Sequence, residues 1–157
     1  YASSNVDMPT MPLDILSVFS NDNSVVVFDV GGDDDGALAL GQYKQYFDKY
    51  GYEMHFIVNT KRPLTRTNDE LIEIAERIES ASRLKFTDIY NNTNLSDQTD
   101  ETTLFSGYDE IKMLSKKMGI VIKKNCGIDK ALSNVPTNLK DTVFRMNICI
   151  LRPWEIQ

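Results

Sequence analysis

Apolar and polar residues follow one another along this chain in blocks that predict strands and helices in turn. The first apolar block, residues 25–30, consists of β-branched and aromatic residues interrupted only by Asp29. An apolar run of this length is typical of a strand in a parallel sheet that is covered on both faces. Similar blocks predict further strands over residues 54–59, 86–90, 120–123 and 145–151.

Helical spacing of apolar residues fills the intervals between these strands. A helix over residues 36–50 is predicted by apolar side chains three and four positions apart, and Gly51 is suited to end it. Thr67 and Glu70 form a capping box, which predicts a helix that continues to about residue 82. The other predicted helical segments are one after Pro12, one over residues 103–118 that ends at Gly119, and one over residues 129–133.

The alternation of strand and helix predicts an α/β fold. We expect a three-layer, doubly wound and mostly parallel sheet in a single domain over residues 1–157. Because crossover connections between parallel strands are right-handed, the carboxyl ends of all strands should meet at one edge of the sheet. Ligands of such sheets bind outside that edge.

Composition narrows the class of protein. The formal net charge of −6 and the lack of a Lys/Arg-rich block argue against a broad nucleic-acid surface. No apolar run reaches the roughly eighteen residues that a membrane-spanning helix needs. Cys126 and Cys149 lack the CxxC spacing of a metal motif, so they predict buried thiols in the reducing cytoplasm. His55 lies within an apolar strand and is expected to be a core or edge histidine.

The polar residues that close the first predicted strand suit a metal–phosphate site. A carboxylate such as Asp29, held by a rigid strand, can fix a water of Mg²⁺, which prefers oxygen ligands. Gly32 has no side chain, so its N–H group can approach a terminal phosphate closely. The alternative is that the following acids cap the next helix, and this explains Asp34 and Asp35 best.

The tips of the second and third predicted strands carry amides and one cation. Asn59 and Arg62 follow the second strand, and residues 91–94 follow the third. Asn91 and Asn92 could read the edge of an adenine base, because an amide offers a donor and an acceptor together. The same residues also favour an Asx-rich turn, and both interpretations remain open. Arg62 could contact phosphate or remain a solvated loop charge.

The segment FDVGGDDDGALALGQY resembles the Walker B and switch II region of MinD/ParA-like P-loop ATPases. FIVNTKRPLT, ESASRLKFTDIYNNTNL and the terminal RPWE are also similar to that group and follow in the same order. The resemblance implies an ATP-binding, Mg²⁺-dependent domain that often dimerises around two nucleotides. It makes Asp29 the Walker B acid and metal ligand, Asp33 a second catalytic acid, Gly31 and Gly32 neighbours of the phosphates, and Asn92 the amide beside the adenine.

The chain departs from that family at one motif. The sequence contains no GxxxxGKS/T motif, which is the loop whose backbone N–H groups cradle phosphate. With Tyr1 as its first residue, the chain is expected to be a C-terminal portion of such an ATPase, without the P-loop strand and helix. Without the P-loop strand, the strands that would lie beside it in the sheet should have unpaired edges. The chain alone is therefore expected to bind ATP poorly and to hydrolyse none.

Two other classes of function remain open. One is a receiver-like module that binds Mg²⁺ through its acids without hydrolysis, although the third strand tip carries amides where a receiver has an acid. The other is a scaffold derived from an NTPase that lost its P-loop. Either would act through an unknown partner protein, and neither predicts direct contact with nucleic acid.

Overall fold

The structure, a computed structural model, describes residues 13–20, 24–32 and 34–147. The chain divides into two compact units. The first comprises Tyr1–Met54 and Glu73–Phe86, and the second comprises His55–Ile72 and Thr87–Gln157. The sheet lies entirely in the second unit. The prediction that all residues form a single domain stays a prediction.

The second unit is built on a four-stranded, all-parallel sheet. Its strands are β1 (His55–Val58), β2 (Asp88–Asn91), β3 (Val121–Gly127) and β4 (Val143–Arg145), and they pair in chain order. The predicted α/β class and the parallel pairing are therefore confirmed. A doubly wound sheet requires a point where the strand order reverses, and the four described strands show no such reversal. The doubly wound, three-layer arrangement stays a prediction.

Burial along the strands follows their position in the sheet. Phe56 and Val58 of the edge strand β1 are buried, whereas Ile57 between them is exposed. Asp88, Ile89 and Asn91 of the inner strand β2 are all buried, as expected for a strand with neighbours on both sides. The predicted strands at residues 54–59, 86–90 and 120–123 are confirmed with shifted bounds. The last strand begins earlier than predicted, and residues 148–151 lie outside the described part of the chain.

Two helices of the second unit replace the single helix predicted over residues 103–118. They are α4 (Glu101–Phe105) and α5 (Tyr108–Met118), and they are separated at Ser106 and Gly107. A Cβ atom added at Gly107 would lie only 2.5 Å from the Cβ of Thr60, so the backbone approaches the loop after β1 very closely here. Gly119 ends α5 with a φ of 71°, as the sequence predicts. Shorter 3-10 helices span Ser96–Gln98, Asp129–Leu132 and Thr137–Thr142.

Helix α3 (Asn68–Ser82) begins at the predicted capping box. The backbone N–H of Thr67 donates to Glu70 Oε2 at 2.9 Å, and the N–H of Glu70 donates to Thr67 Oγ1 at 3.3 Å. The hydrogen bonds from the backbone N–H groups of Thr67 and Arg66 lower the pKa of Glu70, because they stabilise the charged carboxylate. One face of the helix is apolar and packed inward, since Leu71, Ala75 and Ile78 are buried.

The first unit contains a 3-10 helix (Leu13–Ser20) and the helices α1 (Asp34–Gly41) and α2 (Lys44–Tyr50). One helix was predicted over residues 36–50, and the observed break follows Gly41. A Cβ at Gly41 would lie 2.8 Å from the carbonyl oxygen of Ala81, so the chain is closely packed there. Gly51 ends α2 with a φ of 81°, as predicted. Among the described residues of this unit, Leu40, Phe47 and Leu84 form a buried core cluster.

The predicted first strand over residues 25–30 is wrong. The structure gives no strand there, and the side chains of Val25 and Val27 are 94% and 85% exposed. Phe28 and Val30 pack against the core of the first unit and anchor the segment. The physical reason is that a strand exists only through its hydrogen bonds to a neighbour, and among the described residues this segment pairs with none.

Candidate binding cleft at the carboxyl ends of β1 and β2

A cleft of about 380 Å³ opens in the second unit where β1 and β2 end. The sequence predicts a ligand site at this edge of a parallel sheet. The loop after β1, the loop after β2 and the junction between α4 and α5 form its walls. The lining residues are Thr60, Lys61, Arg66, Leu95, Ser106, Gly107 and Glu110.

The charges of the cleft favour an anionic ligand. Lys61 and Arg66 are exposed, and neither forms an ion pair with any residue that the structure describes. Two cations and the Glu110 carboxylate line the cleft, and the Glu70 carboxylate, which accepts from the N–H of Arg66 at 2.9 Å, lies close to one of these cations. The cleft therefore carries local positive charge in a chain whose formal net charge is −6.

Thr60 and Gly107 of the cleft lining belong to a close contact between three backbone segments. The N–H of Thr60 donates to Thr93 Oγ1 at 3.3 Å, and the two hydroxyl oxygens lie 3.2 Å apart. Thr60 and Thr93 are both buried. Gly107 packs directly on the side chain of Thr60. The positions of Lys61 and of the start of α5 follow from this contact, because both adjoin it along the chain.

Asn59 holds the two strand-end loops together. Its Nδ2 donates to the carbonyl oxygen of Asn94 at 3.2 Å, and its Oδ1 accepts from the N–H groups of Asn94 and Lys61 at 3.2 and 3.0 Å. The donor–acceptor edge that would pair with a nucleotide base is therefore occupied by the backbone of Asn94. This geometry weighs against the predicted contact of Asn59 with a cofactor.

Asn91 is fully buried and its side chain is fully engaged. Its Nδ2 donates to the carbonyl oxygen of Leu104 at 3.1 Å and to Asn125 Oδ1 at 3.0 Å, while its Oδ1 accepts from the N–H of Thr93 at 3.1 Å. The bond to Thr93 is an Asx turn, which is the second of the two interpretations that the sequence left open. Asn91 therefore supports the sheet and the loop, and its burial weighs against a contact with ligand.

Asn92 differs from its neighbour. Its N–H donates to the carbonyl oxygen of Val58 at 2.8 Å, but its buried Oδ1 has no hydrogen-bond partner among the described residues. A buried acceptor without a donor costs about 1–3 kcal/mol. Asn92 does not line the cleft, so its predicted place beside an adenine stays a prediction.

Arg62, for which the sequence left open either a phosphate contact or a solvated position, does not line the cleft. Its backbone N–H donates to the carbonyl oxygen of Asn59 at 3.2 Å, and its side chain is exposed. Lys61 and Arg66 of the same loop line the cleft in its place. No sequence signal distinguishes these three cations, because the direction of a side chain in an irregular loop depends on the local backbone.

The residues expected to meet Mg²⁺ and the phosphates lie in the first unit. Asp29 is exposed on the segment that was predicted to be a strand and is not one, and Gly31 and Gly32, which follow that segment, are also exposed. The premise that a rigid interior strand holds the Asp29 carboxylate is therefore wrong. Asp33 lies outside the described residues. The assignments of metal, phosphate and catalysis to these four residues stay predictions.

The amino ends of the strands carry an ion-pair group that was not predicted from the sequence. Asp88 begins β2 and is 4% exposed. Its Oδ1 lies 2.6 Å from His55 Nδ1, and its Oδ2 lies 3.2 Å from Lys123 Nζ. A histidine nitrogen and a carboxylate are ligand types that a metal accepts. Here the Lys123 ammonium contacts the same carboxylate and supplies positive charge. We therefore interpret the group as an ion-pair network that joins three strands.

The thiol of Cys126 is buried, as the sequence predicts, and burial raises its pKa to about 11. Cys149 lies outside the described residues. None of the described helices has the length and apolar character that crossing a bilayer requires.

No family model, curated protein or solved structure matches this chain. The resemblance to MinD/ParA-like ATPases therefore stays a prediction.

Proposed function

We propose that the second unit is a nucleotide-binding module and that its cleft takes the phosphate-bearing part of the nucleotide. The observation that carries the proposal is the presence of two cations, without ion-pair partners among the described residues, in a cleft at the carboxyl ends of parallel strands. Open parallel sheets bind nucleotides at this edge. The resemblance selects ATP among the nucleotides.

Five of the seven lining residues have a chemical role in the proposal. Arg66 can bind two phosphate oxygens at once, and Lys61 acts as a point charge. The Ser106 hydroxyl can donate to a third oxygen, and the N-terminus of α5 favours negative charge. Leu95, which is 47% exposed, offers apolar surface to a base or sugar. Glu110 opposes a dense negative charge, so the affinity of the cleft for a triphosphate should be low.

The finer parts of the proposal come from the resemblance. They are a P-loop-type, doubly wound fold, a Mg²⁺ ion held by Asp29, and hydrolysis in a longer protein that supplies the phosphate cradle. When bound, Mg²⁺ would neutralise phosphate charge. The cleft proposal does not depend on that assignment, because its residues all belong to the second unit.

The proposal is tested by titrating the isotope-labelled chain with ATP, ADP and AMP and recording amide chemical shifts. We expect a Kd on the order of 1 mM and shifts at the amides of Thr60, Lys61 and Gly107. Lys61→Gln and Arg66→Gln should each weaken binding about threefold or more, because each removes one phosphate contact. Lys140→Gln is the matched control, since Lys140 is exposed and lies outside the cleft.

Two results would contradict the proposal. One is an absence of shifts at the cleft with about 10 mM ATP, a concentration well above the expected Kd. The other is binding that Lys61→Gln and Arg66→Gln leave unchanged. A Kd below about 1 µM would instead contradict the expectation that the chain lacks its main phosphate cradle.

A further inference from the structure

The loop after β1 concentrates positive charge on the surface of an acidic chain. Residues 61–66, here called the basic loop, contain Lys61, Arg62 and Arg66 and no acid. Five of the six residues are exposed, and Thr65 is half-buried. Lys61 and Arg66 line the cleft, whereas Arg62 and Leu64 do not. The basic loop therefore presents a second surface, made by Arg62 and Leu64, that the nucleotide proposal leaves unused.

Leu64 is an unfavourable residue at its position in two respects. Its φ of 66° lies in the left-handed region, which a branched side chain adopts only at a cost. Its side chain is also 70% exposed. Glycine would remove both costs. A strained backbone that displays an apolar side chain to solvent points to a role in contact with another molecule.

The basic loop is held by hydrogen bonds, three of which end on Asn59. The backbone N–H groups of Lys61 and Arg62 donate to the Oδ1 and the carbonyl oxygen of Asn59 at 3.0 and 3.2 Å. Thr65 Oγ1 donates to the same carbonyl at 2.7 Å and lies 3.2 Å from the carbonyl oxygen of Arg62. A partner would therefore bind a preorganised surface, and little ordering entropy would oppose the contact.

We propose that the basic loop is the docking site for a segment of a partner protein that presents carboxylates beside an apolar side chain. Arg62, which forms no ion pair with the described residues, is suited to bind a carboxylate through two hydrogen bonds. Leu64 provides the apolar contact at the centre.

Charge and shape favour a protein segment over other anionic partners. An anionic membrane is bound best by an amphipathic helix with a broad apolar face, and the basic loop displays a single leucine. Single-stranded nucleic acid is bound by stacking on aromatic side chains, and residues 61–66 contain none. An acidic, partly apolar peptide matches both features of the loop.

The test is a selection of random peptides displayed on phage against the immobilised full chain. We expect enrichment of peptides that combine acidic and apolar residues. Arg62→Glu should weaken the selected peptides about tenfold or more, as for the loss of a central arginine in an interface. Leu64→Gly should weaken them similarly while leaving Tm unchanged or higher, because glycine accepts the positive φ.

Matched controls separate this proposal from the nucleotide proposal. Lys140→Glu makes the same change of charge at another exposed site, and Met113→Ala removes another exposed apolar side chain. Both should bind the selected peptides as the parent chain does. Arg62→Glu and Leu64→Gly should retain the ATP-induced shifts at Thr60 and Gly107, so failure of one proposal leaves the other testable.

The proposal is overturned if no acidic peptides are enriched, or if Arg62→Glu and Leu64→Gly bind the selected peptides normally. It is also overturned if the chain binds phosphatidylserine vesicles or single-stranded DNA through these two residues and binds no peptide. A fall in Tm for Leu64→Gly together with lost binding would assign the leucine a structural role and contradict its role as a contact.

Discussion

The loops after β1 and β2 in the second unit and residues 29–32 in the first unit were predicted alike, as polar strand ends that meet a ligand. In the structure they differ sharply. Asn59, Asn91 and Thr93 are tied by hydrogen bonds across neighbouring strands, whereas Asp29 and Gly32 lie exposed on a segment without a strand partner. Strand-end chemistry therefore depends on the neighbouring strand as much as on the residues themselves.

The largest expected effect comes from Asn91→Ala compared with Asp29→Ala. The first change leaves the carbonyl of Leu104, Oδ1 of Asn125 and the N–H of Thr93 without their donor or acceptor, and should cost about 3 kcal/mol of unfolding free energy. The second alters an exposed side chain and should cost less than about 0.5 kcal/mol. Urea denaturation followed by circular dichroism measures both. Equal losses would remove the contrast between the two regions.

The next largest effect on stability is expected from alanine substitutions at two glycines, Gly107 and Gly32. Gly107→Ala places a methyl group against Thr60, whose position Thr93 fixes, and should destabilise the chain by about 2 kcal/mol. Gly32→Ala meets nothing within 4 Å and should change stability by less than about 0.5 kcal/mol. Thermal unfolding of the two variants tests this. The double variant Thr60→Gly/Gly107→Ala should recover part of the lost stability. If it does not, the contact between the new methyl group and Thr60 is not the cause of the loss.

The smallest effect concerns pH. Asp100 caps α4, and its hydrogen bonds, first from the N–H of Thr103 and then from the Thr102 hydroxyl, lower its pKa from 3.8 to about 2. A lowered folded-state pKa gives stability that is present above the unfolded value and is lost as the carboxylate is protonated. The parent chain should therefore exceed Asp100→Ala in stability at pH 7, and this advantage should decline between about pH 4 and pH 2. Denaturant midpoints across this range measure it, and a constant difference would contradict the cap.

Several features of the fold followed from the sequence alone. The capping box at Thr67 and Glu70, the helix ends at Gly51 and Gly119, and the strands near residues 54–59 and 86–90 are confirmed. The capping box and the helix ends act between residues a few positions apart, so the local sequence is sufficient to determine them, whereas each strand also required a neighbouring strand with which to pair. The alternation of predicted strands and helices along the chain also predicted the parallel sheet and the edge of the sheet at which the cleft opens.

Tertiary structure alone decided which polar residues line the cleft and which support it. Whether Asn59 faces a ligand or the backbone of Asn94 depends on a contact between residues 35 positions apart. The break between α4 and α5 likewise depends on the close contact of Gly107 with Thr60. Residues 25–30 form no strand because a strand needs a neighbour to pair with, and no local pattern supplies one. Pairing and side-chain direction are set by residues distant along the chain, and for that reason they cannot be read from spacing.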